Sequence, residues 1–296
     1  MFSGLSQRKE WVVADIAHAG AHVIDQLAAV LTLDCATITG MEILRPRLAD
    51  APPERLVYDV LVPCPYLPGE PARLPLRLPA RRLRPHELSQ RLRAGDRRQG
   101  LLLYRPSCPA CRACQAIRID VVAFTPDKTQ RRVFRRGETV LRTDIARPSP
   151  SPEKVALYNR HKRERGLLIG DDFTDADGYE QFLVDTCTNT IELTYRDAER
   201  LVGVAITDRA ADALSAVYCF YDPSYARLSP GTYSVLKHIA LCREWGLRYL
   251  YLGLYVADCR AMRYKGRYVP HERFIDGSWH RFASGRRIHR ALKPAS

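Results

Sequence analysis

The chain has 296 residues, 46% of them hydrophobic and 27% charged, which is typical of a globular protein long enough to bury a core. Its formal net charge of +13 points to phosphate-bearing or other anionic partners, although composition alone fits a merely basic protein equally well. The longest apolar run, Ile16 to Leu31, is interrupted by polar residues. This argues against a membrane span and a signal peptide, so the sequence predicts a cytoplasmic protein without membrane partners, whose nine cysteines stay reduced.

Residues 1–55 are interpreted as an N-terminal extension. The apolar periodicity of Ala14–Leu31 predicts an amphipathic helix. Met41 offers an alternative start, so the extension is either a mis-called start or a functional part.

Residues 56–148 are predicted to form a smaller N-terminal domain rich in cysteine and arginine. Residue types predict strands at Leu56–Val62, Leu101–Tyr104 and Ala116–Phe124, and a proline-rich loop from Pro63 to Pro85.

Arginine is concentrated in this region. Ten arginines lie from Arg73 to Arg105 with only two acids, Glu87 and Asp96. A second cluster follows: Arg131, Arg132, Arg135 and Arg136. The planar guanidinium bonds two phosphate oxygens at once, so both clusters are candidates for phosphate binding.

Residues 149–296 are predicted to form the larger C-terminal domain. Ser151, Pro152 and Glu153 predict a helix start, and Gly166 its end. The further predicted elements are a helix at Tyr179–Thr188, a strand at Ile191–Tyr195, a hairpin of Leu201–Thr207 and Leu214–Tyr221, a helix at Gly231–Trp245 and a strand at Arg248–Val256. Antiparallel strands followed by a helix and another strand predict an α+β fold.

Cys108, Cys111 and Cys114 form a C-x-x-C-x-x-C run, and Cys64 is the candidate fourth ligand. Thiolates at this spacing can converge on zinc or an iron–sulfur cluster, but they fit a loop packed by reduced thiols equally well.

Tyrosine is dense between Ser215 and Glu272. Strand alternation predicts Tyr218 and Phe220 on one face and Val217, Cys219 and Tyr221 on the other. It places Tyr249, Tyr251 and Tyr255 on a common face of a second strand. Such a set either packs a sheet or stacks on unpaired bases beside Lys237, Lys265 and Arg267.

The loop from Asp222 to Gly231 argues against coenzyme A as a substrate. A pyrophosphate cradle needs backbone N–H groups, and this loop has one glycine and two prolines.

In combination the motifs resemble the arginyl/leucyl-tRNA–protein transferases of the N-end rule pathway, whose bacterial branch is the aspartate/glutamate leucyltransferases. The matching pieces keep family order across residues 56–282. They are Cys64-Pro-Tyr-Leu-Pro-Gly69, Tyr104-Arg-Pro106 with the cysteine run, Arg118, Gln130-Arg-Arg132, Ser215 to Pro223, Gly231-Thr-Tyr233, Tyr251-Leu-Gly253, and Tyr264-Lys265 leading to Pro270 and Glu272.

The resemblance implies a C-terminal domain similar to Gcn5-type acetyltransferases (GNAT-type) that uses aminoacyl-tRNA instead of acetyl-coenzyme A. The implied reaction moves leucine, with arginine as the alternative, to the α-amine of proteins that begin with Asp or Glu, with no DNA partner and no cofactor required for transfer. Departures from the family motifs at Gly95–Gly100, Arg227–Tyr233 and Tyr251–Tyr255 leave the choice of amino acid open.

Roles for single residues follow from this chemistry. Asp222 and Glu272 are candidates for the base or the amine holder, and Tyr218, Tyr221 and Tyr233 for donors to the oxyanion or ribose. A cationic reader of the acidic N-terminus is expected among Arg97, Arg98, Arg131 and Arg132. The remaining candidates for substrate or tRNA binding are Ser215, Thr232, Lys237, Tyr255 and Lys265.

Two other functional classes stay open: a Fem-like or other acyltransferase, and a non-catalytic protein that binds zinc and tRNA.

Overall fold

A computed structural model of the protein describes residues 43–44, 51–167 and 173–283. The helix predicted at Ala14–Leu31 and the alternative start at Met41 lie outside these residues. The chain has an α+β fold, as predicted, with one large and one small sheet. Among the described residues, no helix has both the length and the apolar character needed to cross a membrane.

The small sheet is built from short strands of the N-terminal region. The strands of this region are β1 (Ile43–Leu44), β2 (Glu54–Tyr58), β3 (Leu61–Pro63), β4 (Pro71–Arg73), β5 (Leu76–Pro79), β6 (Arg97–Gln99) and β7 (Leu102–Tyr104). The sheet has the antiparallel order β1-β2-β5-β7-β6, while β3 and β4 form a separate hairpin. Helix α1 (Pro85–Arg93) precedes β6.

Two predictions for this region are wrong. The strand predicted at Leu56–Val62 is two strands, and the loop predicted at Pro63–Pro85 contains β4 and β5. The prolines stand at strand ends, Pro71 beginning β4 and Pro79 ending β5, where a missing N–H is tolerated.

Much of the arginine-rich stretch forms internal ion pairs rather than a phosphate-binding surface. Arg77 bonds Glu54 at 3.1 Å and Asp96 at 2.8 Å, and all three side chains are buried. Arg98 forms a two-pronged pair with Asp208 of the large sheet, at 2.7 and 2.8 Å. Buried charges need such partners. Arg77 therefore holds the small sheet together, and Arg98 joins it to the large sheet.

The large sheet has eight strands drawn from both sides of the boundary predicted at residue 148. They are β8 (Gln115–Asp120), β9 (Arg142–Ala146), β10 (Thr190–Asp197), β11 (Arg200–Arg209), β12 (Ala213–Tyr221), β13 (Tyr249–Tyr255), β14 (His271–Ile275) and β15 (Ser278–Phe282). Their order is β15-β14-β8-β13-β12-β11-β10-β9. Among the described strands, β12 and β13 form the one parallel pair. The predicted β11–β12 hairpin is confirmed.

Helices cover both faces of the large sheet. They are α2 (Lys128–Val140), α3 (Pro152–Glu164), α4 (Ala176–Tyr179, continued as a π-helix over Glu180–Val184) and α5 (Pro230–Glu244). Two 3₁₀ helices, Pro223–Leu228 and Arg263–Arg267, lie in loops. Apolar residues of α2 and α5 pack on one face of the sheet, and those of α3 and α4 on the other.

Local chemistry explains two of these helices. The Ser151 hydroxyl accepts from the Lys154 amide at the start of α3, as predicted. Gly137 lets α2 approach α5, because a Cβ there would lie 2.1 Å from the Tyr233 ring. This contact fixes the position of α5 beside β12.

Candidate functional site

The main irregularity of the large sheet is the split between β12 and β13. The two strands pair only where Ala213–Ser215 meets Tyr249–Tyr251, and they separate beyond it. Each strand carries a bulge just past the last pair: Val217 is skipped in the pairing of β12 with β11, and an extra residue at Leu252–Gly253 interrupts the pairing of β13 with β8. Gly253 has φ of 74°, which favours glycine. Bulges re-aim neighbouring backbone and side chains, so the strands frame an opening.

A small cavity of about 30 Å³ lies in this split. Its lining brings together three predicted site residues, Arg97, Arg98 and Ser215. The other lining residues are Tyr66, Tyr104, Ala216, Val217, Leu252, Gly253 and Leu254. Arg98 is held by Asp208, while Arg97 has no carboxylate partner among the described residues.

A larger cavity of about 620 Å³ opens at the start of α5. Two predicted residues, Arg132 and Thr232, line it. The other basic lining residues are Arg136, Arg227 and Arg267, and Asp127 is the one acid among the lining residues that the structure describes. The cavity is therefore strongly cationic.

The first turn of α5 adds backbone donors to this cationic cavity. Ser229 precedes the helix in the left-handed conformation, with φ of 52°, and makes no side-chain cap. Pro230 has no N–H, and the Tyr233 amide bonds the Ser229 carbonyl at 2.9 Å. The amides of Gly231 and Thr232 lie in the turn where a helix leaves N–H groups without intrahelical partners. A helix start beside several arginines suits an anion such as phosphate.

The 3₁₀ helix Arg263–Arg267 lines the cationic cavity and bonds a residue that lines the small one. Tyr264 and Arg267 line the cationic cavity, while Lys265 is fully buried and donates to the Leu254 carbonyl at 2.6 Å, on the rim of the split. The split and the cationic cavity are thus neighbouring parts of one region.

The two predicted carboxylates are both held in ion pairs. Asp222 bonds Arg200 at 2.6 Å, pairs with Arg160, and caps the following turn by accepting from the Ser224 amide. Although burial opposes it, hydrogen bonds from Ser224 and Arg200 leave the pKa of Asp222 below its usual value. Glu272 bonds Arg118 at 2.6 Å.

The predicted tyrosines lie in the core. Tyr218 packs in an aromatic cluster with Phe182, at 5.5 Å between ring centroids. Tyr221 contacts the His161 ring at 4.7 Å, and the Tyr233 hydroxyl donates to Glu138 at 2.7 Å. All three side chains are buried in the core, and their role as donors to the oxyanion or ribose stays a prediction.

The remaining predicted binding residues lie outside the two cavity linings. Lys237 bonds both oxygens of Glu138 at 2.9 Å. Tyr255 lies under the Arg273 guanidinium, 4.6 Å from its carbon to the ring centroid. Arg131 borders a different cavity, lined largely by apolar residues of α2 and α5.

The four predicted metal ligands are neighbours, but they do not converge. Burial and then the nearby thiols, Cys108 first, raise the pKa of Cys114 to about 12. Within the described residues, no group of three or more His, Cys, Asp or Glu side chains is placed to hold a metal ion. Metal binding by Cys64, Cys108, Cys111 and Cys114 stays a prediction.

Comparison with known proteins matches both halves of the chain to one family. Residues 62–132 match the profile described as "Arginine-tRNA-protein transferase, N terminus", and residues 153–275 match "Arginine-tRNA-protein transferase, C terminus". The chain belongs to this transferase family.

Curated relatives match this chain over most of their own length. The protein named aspartate/glutamate leucyltransferase in Thiobacillus denitrificans is 38% identical over 219 residues, covering 73% of this chain and 90% of the relative. Its namesake in Chromobacterium violaceum is 38% identical over 226 residues, covering 75% and 92%. Among solved structures, FemX aligns with a TM-score of 0.35 at 12% identity, over 56% of this chain and 59% of FemX.

Both cavities lie within the transferase family's matched ranges, apart from Val133 and Arg136 of α2. Sequence reasoning named Arg136 as a candidate for phosphate binding, but it did not select Val217, Gly253 or Arg227 as site residues. Gly253 carried a usable signal, because a glycine inside a strand pattern indicates a bulge. The sequence contains no comparable signal for the bulge at Val217.

Proposed function

We propose that this protein transfers an amino acid from aminoacyl-tRNA to the α-amine of proteins that begin with Asp or Glu, marking them for N-end rule degradation in the cytoplasm. Leucine is favoured over arginine because the relatives that cover most of the chain are named leucyltransferases. The observation that carries the proposal is the cationic cavity at the start of α5, beside the split of the large sheet.

The cationic cavity suits the phosphates at the 3′ end of a tRNA. Arg132, Arg136, Arg227 and Arg267 supply positive charge, and the first turn of α5 supplies N–H donors. The volume of about 620 Å³ suits a nucleotide-sized group.

The split supports the GNAT-like assignment of the large sheet. A single parallel pair that separates within a largely antiparallel sheet creates a slot between two strands. In this proposal the aminoacyl ester enters that slot from the cationic cavity, with Lys265 and the bulge of β13 between the two.

The reaction joins a nitrogen to a carbonyl carbon. The neutral α-amine attacks the ester carbon, a C–N bond forms, and the C–O bond to the ribose breaks. The amine loses a proton and the departing ribose oxygen gains one, so atoms and charge balance. An ester is already activated, and positioning therefore supplies the larger part of the rate.

Asp222 and Glu272 are better suited to positioning than to proton transfer. Both are engaged by arginines, and the lowered pKa of Asp222 makes it a weak base. The substrate amine has an ordinary pKa of about 7.7–8.0, so a useful fraction is neutral without a strong protein base.

The test offers labelled Leu-tRNA, Arg-tRNA and acetyl-coenzyme A, each in a separate reaction, to peptides that begin with Asp, Glu, Arg or Lys. The expected result is leucine transfer to the Asp and Glu peptides. Transfer from acetyl-coenzyme A instead would indicate another acyltransferase, and tRNA binding without any transfer would indicate a non-catalytic protein. Either outcome would overturn the proposal.

A further inference from the structure

Arg97 occupies an unusual position in the split. It begins β6, an edge strand of the small sheet, and reaches across to β13, where its Nε donates to the Gly253 carbonyl at 3.2 Å. Its guanidinium carbon lies 5.3 Å from the centroid of the Tyr251 ring. The residue is only 4% exposed and lines the small cavity beside Ser215.

Unlike the buried arginines around it, Arg97 has no carboxylate partner among the described residues. Arg98 bonds Asp208 through two nitrogens, and Arg77 bonds Asp96 at 2.8 Å. Arg97 instead donates to two backbone carbonyls, those of Gly253 and Asp96. Its Nη2 is buried and has no hydrogen-bond partner within the described residues.

A buried cation without a hydrogen-bonded carboxylate is costly. Burial lowers the pKa of Arg97 to about 10, and the nearby charge of Asp96, which pairs with Arg77, offsets this only in part. Folded proteins normally pair or hydrogen-bond buried charges completely. The unused Nη2 donors beside a cavity therefore indicate that a ligand supplies the missing negative charge.

The size of the cavity limits that ligand. A water molecule needs about 10–15 Å³ of such space, so a cavity of about 30 Å³ holds roughly two or three non-hydrogen atoms. That is the size of a carboxylate, and it is too small for a phosphodiester with its neighbouring sugars. The cavity also lies at the split, apart from the arginines that line the cationic cavity.

We propose that Arg97 binds the side-chain carboxylate of the N-terminal Asp or Glu of the protein substrate, and so sets the preference for acidic N-termini. This inference rests on the proposed function and narrows the four candidate readers to one. Arg98 is occupied by Asp208, and Arg131 and Arg132 lie on α2, outside the split. Ser215 lines the same cavity.

The test measures peptide binding without tRNA, so that it does not depend on transfer. The full chain is titrated with fluorescent peptides that begin with Glu or Gln, and with Asp or Asn, which differ only by the carboxylate. A charge-assisted hydrogen bond predicts a preference of about tenfold to a hundredfold for the acidic peptides. Arg97→Gln should abolish this preference, and Arg97→Lys should keep part of it.

Arg131→Gln is the matched control, since it removes an exposed arginine of α2 and should keep the full preference. The ratio between two peptides does not depend on the fraction of folded protein, so partial misfolding of a variant does not disguise the result. An unchanged preference in Arg97→Gln, or none in the unmodified protein, would overturn the inference. A preference that Arg97→Gln abolishes, in a protein that transfers no amino acid, would support this inference while the proposed function fails.

Discussion

Asp222 is the residue whose surroundings most change its expected role. Its carboxylate is buried, paired with Arg160 and Arg200, and bonded to the turn that leads towards α5. Its lowered pKa keeps it ionised, which suits an anchor for the loop rather than a proton acceptor. The position of the α5 start therefore depends on this side chain.

We expect Asp222→Asn to lower the free energy of unfolding by about 1–2 kcal/mol, because the ion pairs with Arg160 and Arg200 are lost, although the amide oxygen of Asn can still cap the turn. The pH dependence of kcat/KM should keep its shape, set by the substrate amine near pH 7.7–8.0, roughly its ordinary pKa. Urea titration and a pH–rate series measure the two effects. Loss of the acidic limb of the pH profile would assign Asp222 as the base after all. Asp197→Asn, which removes a carboxylate bonded to Tyr225 of the same loop, is the control.

Single residues also show where strand alternation fails. Tyr218 and Phe220 pack on one face and Cys219 and Tyr221 on the other, as predicted. Val217 was predicted opposite Tyr218 but packs with it, because the bulge adds a residue and reverses the alternation. A bulge depends on the partner strand, so one strand's sequence does not reveal it.

The same effect separates the tyrosines of β13. Tyr249 and Tyr251 belong to one cluster, whereas Tyr255, beyond the bulge at Gly253, packs against another. The predicted common face of these three tyrosines is wrong for this reason.

Among the secondary-structure elements, helix α2 places two adjacent arginines at two different cavities. Arg132 lines the cationic cavity, whereas Arg131 next to it borders the apolar cavity and donates to the Pro126 carbonyl at 2.6 Å. Successive helical residues point about 100° apart, so adjacent arginines face different surroundings.

We expect Arg132→Ala to weaken tRNA binding and to lower the slope of log affinity against log salt by about 0.7–0.9, the value for one lost phosphate contact. Arg131→Ala is the matched control and should leave that slope unchanged. Filter binding of tRNA at several salt concentrations measures both. Equal slopes for the two variants would show that tRNA does not enter the cationic cavity.

Sequence patterns predicted the regular elements of the C-terminal half well, and α3, α5 and the β11–β12 hairpin are confirmed. They missed α1 and α2, whose many arginines obscure the apolar periodicity. A local signal for α2 was present, because Asp127 and Gln130 form a capping box.

At the scale of the whole molecule, the arrangement of the two sheets depends on contacts far apart in sequence. β8 lies before the predicted boundary at residue 148 yet sits between β13 and β14. The buried pair of Arg98 and Asp208 joins the small sheet to the large one. Neither contact can be predicted from the local sequence. For this reason, arginines that stabilise the fold were predicted to bind phosphate.

Three buried histidines make the stability of the whole molecule dependent on pH. Burial lowers the pKa of His161, His238 and His271 from an ordinary 6.5 to about 4. The folded protein resists protonation that the unfolded chain accepts. Stability is therefore complete above pH 6.5 and falls as the pH drops towards about 4, by at most about 1.4 kcal/mol per pH unit for each histidine.

Melting temperatures between pH 7 and 4.5, above the range where most carboxylates titrate, measure this dependence. His238→Gln should make the fall less steep, and the exposed His280→Gln should not change it. A melting temperature that is constant over this range would show that the histidines are not buried in the neutral form.

The most direct test of the proposed chemistry follows the bond that forms. A peptide beginning with Glu is incubated with the protein and Leu-tRNA, and the product is sequenced by mass spectrometry. We expect one added leucine on the α-amine, and no addition to the same peptide with an acetylated N-terminus. An unmodified peptide with leucine released free into solution, or leucine added to the acetylated peptide, would contradict it.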